Sequence, residues 1–285
     1  MIDAVITYVN GTDPAWQALY AASGGSEPAK RFRDWGTLKY LLRGIRKYMP
    51  FIGNIYLVVA LESQVPEDVR PLVEVVLHKD IIPARFLPTF NSTTIEMFLH
   101  RISGLSEQFI YFNDDIFPLR PTSPKSFFPD GKPAKKISCH LLAIGGYKKQ
   151  TLHSDRMARK AAGKPSGLGF VRPQHSVTPL LKSACEEVMK KVGGDIEDTL
   201  TPHRVPGNLN QYVFSDYMYF TGQAVSRRIS QKHLSLAIHS AGQVALFIAE
   251  PSADFACIND VQMGEETFLR SREIILKAFE KALPE

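Results

Sequence analysis

The feature that most constrains the fold is the alternation of short apolar runs with helical patterns over the first 117 residues. Four runs have the length and the β-branched, apolar content of buried strands: 3–9, 54–60, 73–77 and 109–112. Between them, apolar residues recur at helical spacing over 33–48, and a second helix is predicted for 93–101. Strands that alternate with helices favour right-handed crossovers, so the sequence predicts an α/β fold with a mostly parallel sheet.

The pattern becomes less regular after residue 129. A loop rich in Gly, Lys and Pro is predicted for 129–136, and a second loop for 163–173. The other predicted elements are a short strand near 137–144, helices over 152–162, 178–192 and 209–221, a strand over 244–248 and a C-terminal helix over 265–282. We interpret residues 129–205 as an insertion or lid over the sheet, within a single domain that spans residues 1–285.

Composition places the chain among ordinary globular proteins, with 44% hydrophobic and 22% charged residues. The apolar run at the N-terminus is too short for a signal peptide, and no later run reaches the length of a membrane span. Cys139, Cys185 and Cys257 are far apart and form no Cys-x-x-Cys pair. This spacing argues against a zinc site or a disulfide framework and favours a reducing cytoplasm.

Basic residues exceed acidic residues modestly, by 34 to 29. This excess suits phosphate-bearing substrates or an anionic membrane surface, but it is too small to indicate nucleic-acid binding. The densest basic stretches, 132–136 and 148–164, lie in the middle third of the chain, and such runs are most often solvated faces. They also allow a peripheral association with the inner face of a membrane.

The strongest chemical signal is the triplet Asn113-Asp114-Asp115, which follows a hydrophobic run and precedes further apolar residues. Carboxylates in such surroundings are costly unless a cation neutralises them. Mg²⁺ and Mn²⁺ prefer oxygen ligands and could also bridge diphosphate oxygens, so we expect one of these ions here. Ca²⁺ has the same preference for oxygen and is the less favoured alternative. On the local residues alone, the alternative that Asp114 and Asp115 only cap a turn carries equal weight. Asn10 and Asp13 also follow a predicted strand, and ligands of parallel sheets bind at that edge.

A second Asn-Asp pair, Asn259-Asp260, follows apolar residues far along the chain and could complete one coordination shell with the first. Its alternative role is to begin the C-terminal helix, which either Asp260 or Gly264 could cap. Without the first acidic triplet, we would prefer the capping role.

Four histidines lie among polar residues and prolines instead of in apolar periodic runs, which makes them the stronger functional candidates: His153, His175, His203 and His239. A lone histidine is more often structural or simply exposed. Arg204 could bind a phosphate by a bidentate contact, or it could form an ordinary surface ion pair.

The segment before the predicted helix at 93 also has two interpretations. Asn91 or Ser92 is suited to cap this helix, and Glu96 takes the capping-box position if Thr93 is the cap. The same helix N-terminus could instead contact a donor phosphate or sugar.

These segments, in this order, resemble the Stealth family, which includes capsular polysaccharide phosphotransferases and the N-acetylglucosamine-1-phosphotransferase of lysosomal enzymes. The first resembling region is Asp3 to Trp16, with its Val-Asn-Gly-x-Asp-Pro signature. The second is 31–128, with Arg31-Phe-Arg-Asp34, Asn91, Glu96, Leu99-His100-Arg101 and Tyr111 to Asp115. The third runs from His175 to about Gly222, and the fourth is Phe255 to Asp260. Together they cover most of the chain outside 129–172.

The resemblance implies a role for individual residues. Asp114 and Asp115 would hold the metal or catalytic charge, with Asn259 and Asp260 completing the site. His175 is implied as the general base and Arg204 as the phosphate-stabilising group. The implied substrate-binding residues are Asn10, Asp13, Arg33, Asp34, Asn91, Glu96, His100, Arg101, Asn113 and His203. Where many relatives have a further acidic or amide residue, this chain has Val261, so Gln262 or Glu265 is an alternative ligand.

The resemblance also implies a fold and an activity. The fold is a Rossmann-like, glycosyltransferase-A-like sheet flanked by helices, with the helical insertion on the acceptor side. The activity is metal-dependent transfer of a sugar 1-phosphate from a UDP-sugar to a glycan or lipid-linked saccharide, releasing UMP. Two alternatives stay open: a glycosyltransferase that releases UDP, and a non-catalytic protein that binds sugar nucleotides or polysaccharide.

Overall fold

The computed structural model describes residues 1–25 and 32–285. Arg31, the first residue of one Stealth-like motif, lies outside the described residues. The strands are β1 Ile2–Thr7, β2 Ile52–Val59, β3 Glu74–Leu77, β4 Gln108–Asn113, β5 Ile116–Pro118, β6 Ile137–His140, β7 Phe170–Pro173, β8 Thr178–Leu181, β9 Gln231–Ser235 and β10 Phe255–Asn259. The helices are α1 Pro14–Ala22, α2 Leu38–Tyr48, α3 His78–Ile81, α4 Ser92–Glu96, α5 Pro124–Phe127, α6 Gly146–Ala161, α7 Lys182–Glu197, α8 Tyr212–Phe220, α9 Ala241–Ala249 and α10 Glu265–Ala282.

The central sheet has five strands in the order β3-β2-β1-β4-β8. The first four are parallel, and β8 is antiparallel to β4. Alternate residues of β1 pack into two different cores, Ile6 into one and Val5 into the other, because successive side chains of a strand point to opposite faces. The prediction of an α/β fold with a mostly parallel sheet, covered on both faces, is therefore confirmed.

A second sheet of three strands, in the order β5-β10-β9, adjoins the end of β4. The strand β10 runs antiparallel to β5 and parallel to β9. Because β5 begins directly after the acidic triplet, this pairing brings residues more than 140 positions apart into contact, and the Ile258 N–H donates to the Asp115 carbonyl at 2.8 Å. The strands β6 and β7 form a separate antiparallel pair.

Two predicted helices in the first third differ from the observed ones. The helix predicted for 33–48 begins only at Leu38, because Gly36 has a φ of +68° and the Asp34 carboxylate accepts its N–H at 2.9 Å. This left-handed conformation suits glycine and interrupts helical geometry. The helix predicted for 93–101 is divided into α4 and a separate 3₁₀ turn at Leu99–Arg101.

Several predictions for the second half of the chain were wrong. The predicted loop at 163–173 contains β7, and the first four residues of the helix predicted for 178–192 form β8. The strand predicted for 244–248 is instead the helix α9, whose first residues are held by a reciprocal capping box between Ser240 and Gln243. Val244 and Ile248 are four residues apart, so both face the core from one side of this helix.

Other predicted elements were confirmed, with shifted bounds in most cases. The C-terminal helix occupies 265–282 as predicted, and the helices predicted for 152–162 and 209–221 are α6 and α8. Gly264, one of the two predicted caps, is the N-cap of α10. No helix in the described part of the chain is both long enough and apolar enough to cross a membrane.

Candidate active site

The candidate site lies where β4 ends and the two sheets meet. Asn113 is the last residue of β4, and Asp114 and Asp115 form the turn into β5. Asn259 ends β10, which pairs with β5. The two Asn-Asp pairs predicted from sequence are thus brought to one place by the pairing of β10 with β5.

Two cavities of about 420 Å³ each open at this place. We call the first the aromatic cavity, because it is lined by Tyr8, Trp16, Phe32, Trp35 and Phe90 as well as Arg33, Asp34, Asp114 and Asp260. We call the second the histidine cavity; it is lined by His175, His233, Glu96, Tyr147, Arg172 and Tyr212. Five residues line both cavities: Ser92, Asn113, Asp115, Arg204 and Asn259. The two cavities therefore share one polar junction.

The carboxylates at the junction carry unsatisfied oxygens. Asp115 Oδ2 accepts a weak hydrogen bond from Cys257 Sγ at 3.5 Å, whereas the buried Asp115 Oδ1 has no partner in the described part of the chain. Asp260 Oδ1 accepts the Val261 N–H at 2.6 Å, and its buried Oδ2 also has no partner within residues 1–25 and 32–285. An unpartnered buried oxygen is costly, so these two atoms indicate a position that a donor or a cation would occupy.

Burial raises the pKa of both central carboxyls. The pKa of Asp114 is raised to about 7, first by burial and then by the charges of Asp115 and Asp34. The pKa of Asp115 is raised to about 6, again mainly by burial. Such shifts are typical of carboxylates that a bound cation keeps ionised.

The available donors fit a divalent cation. Asp114, Asp115, Asn259 and Asp260 all line the aromatic cavity, as the prediction of a shared coordination shell requires. Asp115, His175 and Cys257 also offer ligand atoms that lie within 4.8 Å of one another. Carboxylate and amide oxygens suit Mg²⁺ or Mn²⁺, and the unpartnered Oδ atoms of Asp115 and Asp260 leave ligand positions free.

His175 lies in the histidine cavity beside other cationic groups. Its pKa is lowered to about 4, first by burial and then by the charges of Lys135, His233 and Arg172. Its ring contacts Tyr147 and His233 edge-on, at centroid distances of 6.3 and 6.4 Å. The imidazole is therefore neutral near pH 7 and able to accept a proton.

Two buried donors in the aromatic cavity have no acceptor among the residues that the structure describes. Arg33 Nη1 and Trp35 Nε1 are both buried and unpartnered, although Arg33 Nη2 donates to the Met263 carbonyl at 3.4 Å and the guanidinium lies over the Phe268 ring. At the junction, Arg204 donates to Ser92 Oγ of α4. The site thus presents donors beside the carboxylates, an arrangement suited to an anionic ligand with several oxygens.

Six predicted site residues do not line either cavity, and they are Asn10, Asp13, Asn91, His100, Arg101 and His203. Asn10 accepts from Thr12 N and Oγ1 in the loop after β1, and Asp13 caps α1 by accepting the Trp16 N–H at 2.6 Å. Both side chains shape this loop, which carries Trp16 into the aromatic cavity.

The remaining four have structural contacts. Asn91, which is fully buried, caps α4 and donates to Asn208 Oδ1 and Thr201 O. His203 stacks on Phe90 at 5.6 Å and its Nε2 contacts Ser23. His100 packs edge-on against Phe214, and Arg101 is exposed over the Phe98 ring.

Glu96 is buried and has a role that its sequence position did not indicate. It accepts the Gln211 N–H at 2.8 Å and the Tyr111 hydroxyl at 3.3 Å, and burial raises its pKa. Asn91, and not Thr93, caps α4, so no capping box involves Glu96. The proposed alternative ligands Gln262 and Glu265 are exposed and line neither cavity.

Sequence reasoning missed the aromatic lining and much of the histidine cavity. Trp16, Phe32 and Phe90 are adjacent to the polar motifs along the chain, and this adjacency was the one signal available for them. The middle segment, residues 129–205, contains Tyr147 and Arg172, and its sequence pattern is irregular. The strands β9 and β10 bring His233 and Cys257 to the site, and no local pattern predicted this.

Comparison with known proteins bears on the same residues. Residues 31–136, which include the acidic triplet, match Stealth protein CR2, conserved region 2. The chain is 32% identical to a capsular polysaccharide phosphotransferase of Actinobacillus pleuropneumoniae, over 79% of this chain and 67% of that protein. It is 29% identical to one of Streptococcus pneumoniae, over 100% and 97% of the two chains.

Other relatives are longer, and the structural likeness is remote. An exopolysaccharide phosphotransferase of Streptomyces coelicolor is 32% identical over 98% of this chain, which spans only 32% of that protein. The solved structure of the galactosyltransferase LgtC covers 99% of this chain at 10% identity and a TM-score of 0.48. The α/β fold is established by the chain's own sheet order. The identity of 32% to the Actinobacillus protein, over 67% of its length, together with the conserved-region match, shows that this chain belongs to the Stealth family.

Proposed function

We propose that this chain transfers a sugar 1-phosphate from a UDP-sugar to a hydroxyl of a glycan, with release of UMP, in the synthesis of capsular or other surface polysaccharide. The observation that carries the proposal is the junction at which the aromatic and histidine cavities meet. A transfer reaction needs two substrates held against each other, and two cavities with a common polar wall provide this arrangement. The names of the family's capsular and exopolysaccharide phosphotransferases support the same reaction class.

The donor is assigned to the aromatic cavity. Its aromatic rings suit stacking on a uracil base, because every nucleobase has a π-face. The unpartnered Arg33 Nη1 and Trp35 Nε1 are available to anionic or carbonyl oxygens of the donor. Asp114, Asp115, Asn259 and Asp260 would hold a divalent cation, which when bound neutralises charge on the diphosphate and its leaving group.

The acceptor is assigned to the histidine cavity, which includes Tyr147, Gln150 and Arg172 from the middle segment. In the proposed reaction, an acceptor hydroxyl oxygen forms a bond to the β-phosphorus of the donor. The bond from that phosphorus to the oxygen bridging the two phosphates breaks, and the electron pair leaves with UMP. Arg204, at the junction, stabilises the negative charge on the transferred phosphoryl oxygens.

His175 accepts the proton of the attacking hydroxyl. A pKa of about 4 makes it a weak base when no anion lies beside the ring. The shift arises from burial and from neighbouring cations, so an anionic diphosphate beside the ring would raise the pKa toward neutrality. His175 is thereby a better base when the donor is present than when it is absent.

The experiment is to incubate the purified chain with several UDP-sugars, Mn²⁺ or Mg²⁺ and candidate glycan acceptors, and to separate the released nucleotides by chromatography. Acceptor-dependent UMP, abolished by chelation and by Asp115→Asn but retained by His153→Ala, is the expected result. His153 lines neither cavity and serves as the matched control. Release of UDP would instead assign a glycosyltransferase, and donor binding without turnover by any acceptor would favour a binding protein.

A further inference from the structure

An exposed apolar tip projects from the β6–β7 pair. Leu141, Leu142 and Ile144 follow β6 and are 77%, 69% and 75% exposed, and Leu168, just before β7, is fully exposed. The register pairs His140 with Phe170, so both loops leave the same end of the pair. The Leu141 side chain lies against Gly169, which brings the loops together. Single exposed leucines are ordinary, whereas four adjoining aliphatic side chains form a patch of the kind that binds a partner.

The chain around this tip is strongly basic. Residues 131–175 contain ten Lys and Arg residues and a single acidic residue, Asp155. Asp155 is buried and paired with Arg159 at 2.9 Å, so it offers no negative charge to solvent. In the described part of the chain, Lys148, Lys149 and Lys164 have no ion-pair partner. Apolar side chains surrounded by unpaired cations are complementary to an anionic lipid surface.

The tip also adjoins the histidine cavity. Tyr147, three residues after Ile144, lines that cavity and donates to or accepts from the Tyr212 hydroxyl at 2.6 Å. The Arg172 guanidinium lies 5.5 Å from the Tyr147 ring centroid and lines the same cavity. A surface that contacted the tip would therefore lie beside the mouth of this cavity.

We propose that Leu141, Leu142, Ile144 and Leu168 insert into the interface of an anionic bilayer, while the surrounding lysines contact its headgroups. Docking in this orientation holds the histidine cavity at headgroup level. Because that cavity is the acceptor site of the proposed function, the acceptor reached there is a lipid-linked saccharide whose tail stays in the bilayer. The docking itself requires neither donor nor acceptor, so it stands or falls independently of the phosphotransfer.

The test is flotation of the full chain with vesicles of phosphatidylcholine, with and without phosphatidylglycerol. The tip variant Leu141→Ser/Ile144→Ser is compared with Ile238→Ser/Leu246→Ser, which removes two equally exposed aliphatic side chains elsewhere. We expect the tip variant to bind anionic vesicles at least about tenfold more weakly, because each aliphatic side chain contributes to partitioning. The control variant should float like the unmodified chain, and Lys148→Gln/Lys149→Gln should bind more weakly and lose part of the salt dependence.

The proposal is overturned if the unmodified chain does not float with anionic vesicles, or if the tip and control variants float equally. Flotation that is unaffected in the tip variant but displaced by a soluble polyanion would also overturn it, and would assign the cations to an anionic polysaccharide. Circular dichroism of each variant separates lost docking from lost folding. If vesicles bind as expected while no donor yields UMP, the docking surface stands and the proposed reaction fails.

Discussion

Asp115 combines several features that a metal-binding or catalytic residue of this site would need. It lines both cavities, has one buried oxygen without a partner among the described residues, and has a carboxylate oxygen within 4.8 Å of ligand atoms of His175 and Cys257. Its neighbour Asp114 lines only the aromatic cavity but has the higher pKa. In the absence of a cation, both carboxylates are therefore a cost to the fold above neutral pH.

The first prediction concerns Asp115→Asn and Asp114→Asn at different pH values. For these acids the folded pKa lies above the unfolded value, so stability falls as pH rises from about 4 to about 7 and stays low above it. Without metal, Asp114→Asn should therefore raise the melting temperature at pH 8 and have no such effect near pH 3.5. Thermal denaturation across this range measures the difference.

Asp115→Asn and the unmodified chain should also differ in how Mn²⁺ changes their melting temperatures. Mn²⁺ should raise the melting temperature of the unmodified chain, since a ligand that binds only the folded state stabilises it. Asp115→Asn should lose most of this rise, and Asp254→Asn, whose carboxylate is outside both cavities, should retain it. An equal rise in Asp115→Asn and the unmodified chain would remove Asp115 from the metal site.

The second prediction concerns His175→Ala. Loss of the base should lower kcat by about 10²- to 10⁴-fold while the KM for the donor changes little, because the ring lines the acceptor-side cavity. Steady-state kinetics at saturating acceptor measures both constants. The matched variant His153→Ala, at a partly buried histidine outside both cavities, should keep kcat within about twofold; equal losses in the two variants would contradict the assignment.

At the level of elements, α4 and the 201–208 loop form one unit. The Asn91 side chain caps α4 through Thr93 N and Oγ1 and donates to Thr201 O and Asn208 Oδ1. The loop it holds carries Arg204, which returns to contact Ser92 on the same helix. The position of Arg204 at the junction therefore depends on a fully buried amide outside the cavities.

The third prediction concerns Asn91→Ala. It removes a helix cap and leaves buried groups unpaired, so the free energy of unfolding should fall by about 2–4 kcal/mol. Asn91→Asp keeps an acceptor for Thr93 but places a buried carboxylate oxygen against Thr201 O and Asn208 Oδ1, so it should be at least as destabilising as Asn91→Ala and should also reduce turnover. Urea denaturation checks the order. Asn54→Ala, at a partly buried amide elsewhere, should cost less than about 1 kcal/mol.

At the scale of the whole molecule, buried histidines oppose folding in acid. The pKa values of His78, His100 and His175 are each lowered to about 4, first by burial. Below about pH 6.5 the unfolded chain binds protons to these groups, whereas the folded chain keeps them neutral. Their contribution to the free energy of unfolding is therefore highest above that pH. This contribution is lost as pH falls toward 4.

The fourth prediction isolates one of these groups, His100. When pH falls from 7 to 4.5, the unmodified chain should lose roughly 2 kcal/mol of unfolding free energy relative to His100→Gln. Protonation of His100 favours the unfolded chain, whereas glutamine does not titrate. Phe214→Leu, which alters the packing partner of His100, adds no titrating group and should show a difference that is nearly constant with pH. Urea denaturation at the two pH values gives both differences.

Much of the candidate site was predictable, since ten of the predicted residues line the two cavities. The others, such as Asn91 and Asp13, have polar side chains that hold loops of the site in place, and a motif does not distinguish a contact with substrate from a contact that shapes the loop. The wrong elements have a similar cause. A short apolar run such as 244–248 fits a strand or a helix equally, and its neighbours decide between them.

The sequence by itself determined the parallel strand core, the C-terminal helix and the acidic triplet at the end of a strand, because these depend on local periodicity and on the cost of burying charge. Only the tertiary structure decided which distant groups join that triplet. The pairing of β10 with β5 brings Cys257 and Asn259 to Asp115. The pairing of β8 with β4, at the edge of the central sheet, brings the middle segment to the histidine cavity. Strand pairing of this kind is a contact between residues far apart in sequence, and local patterns do not specify it.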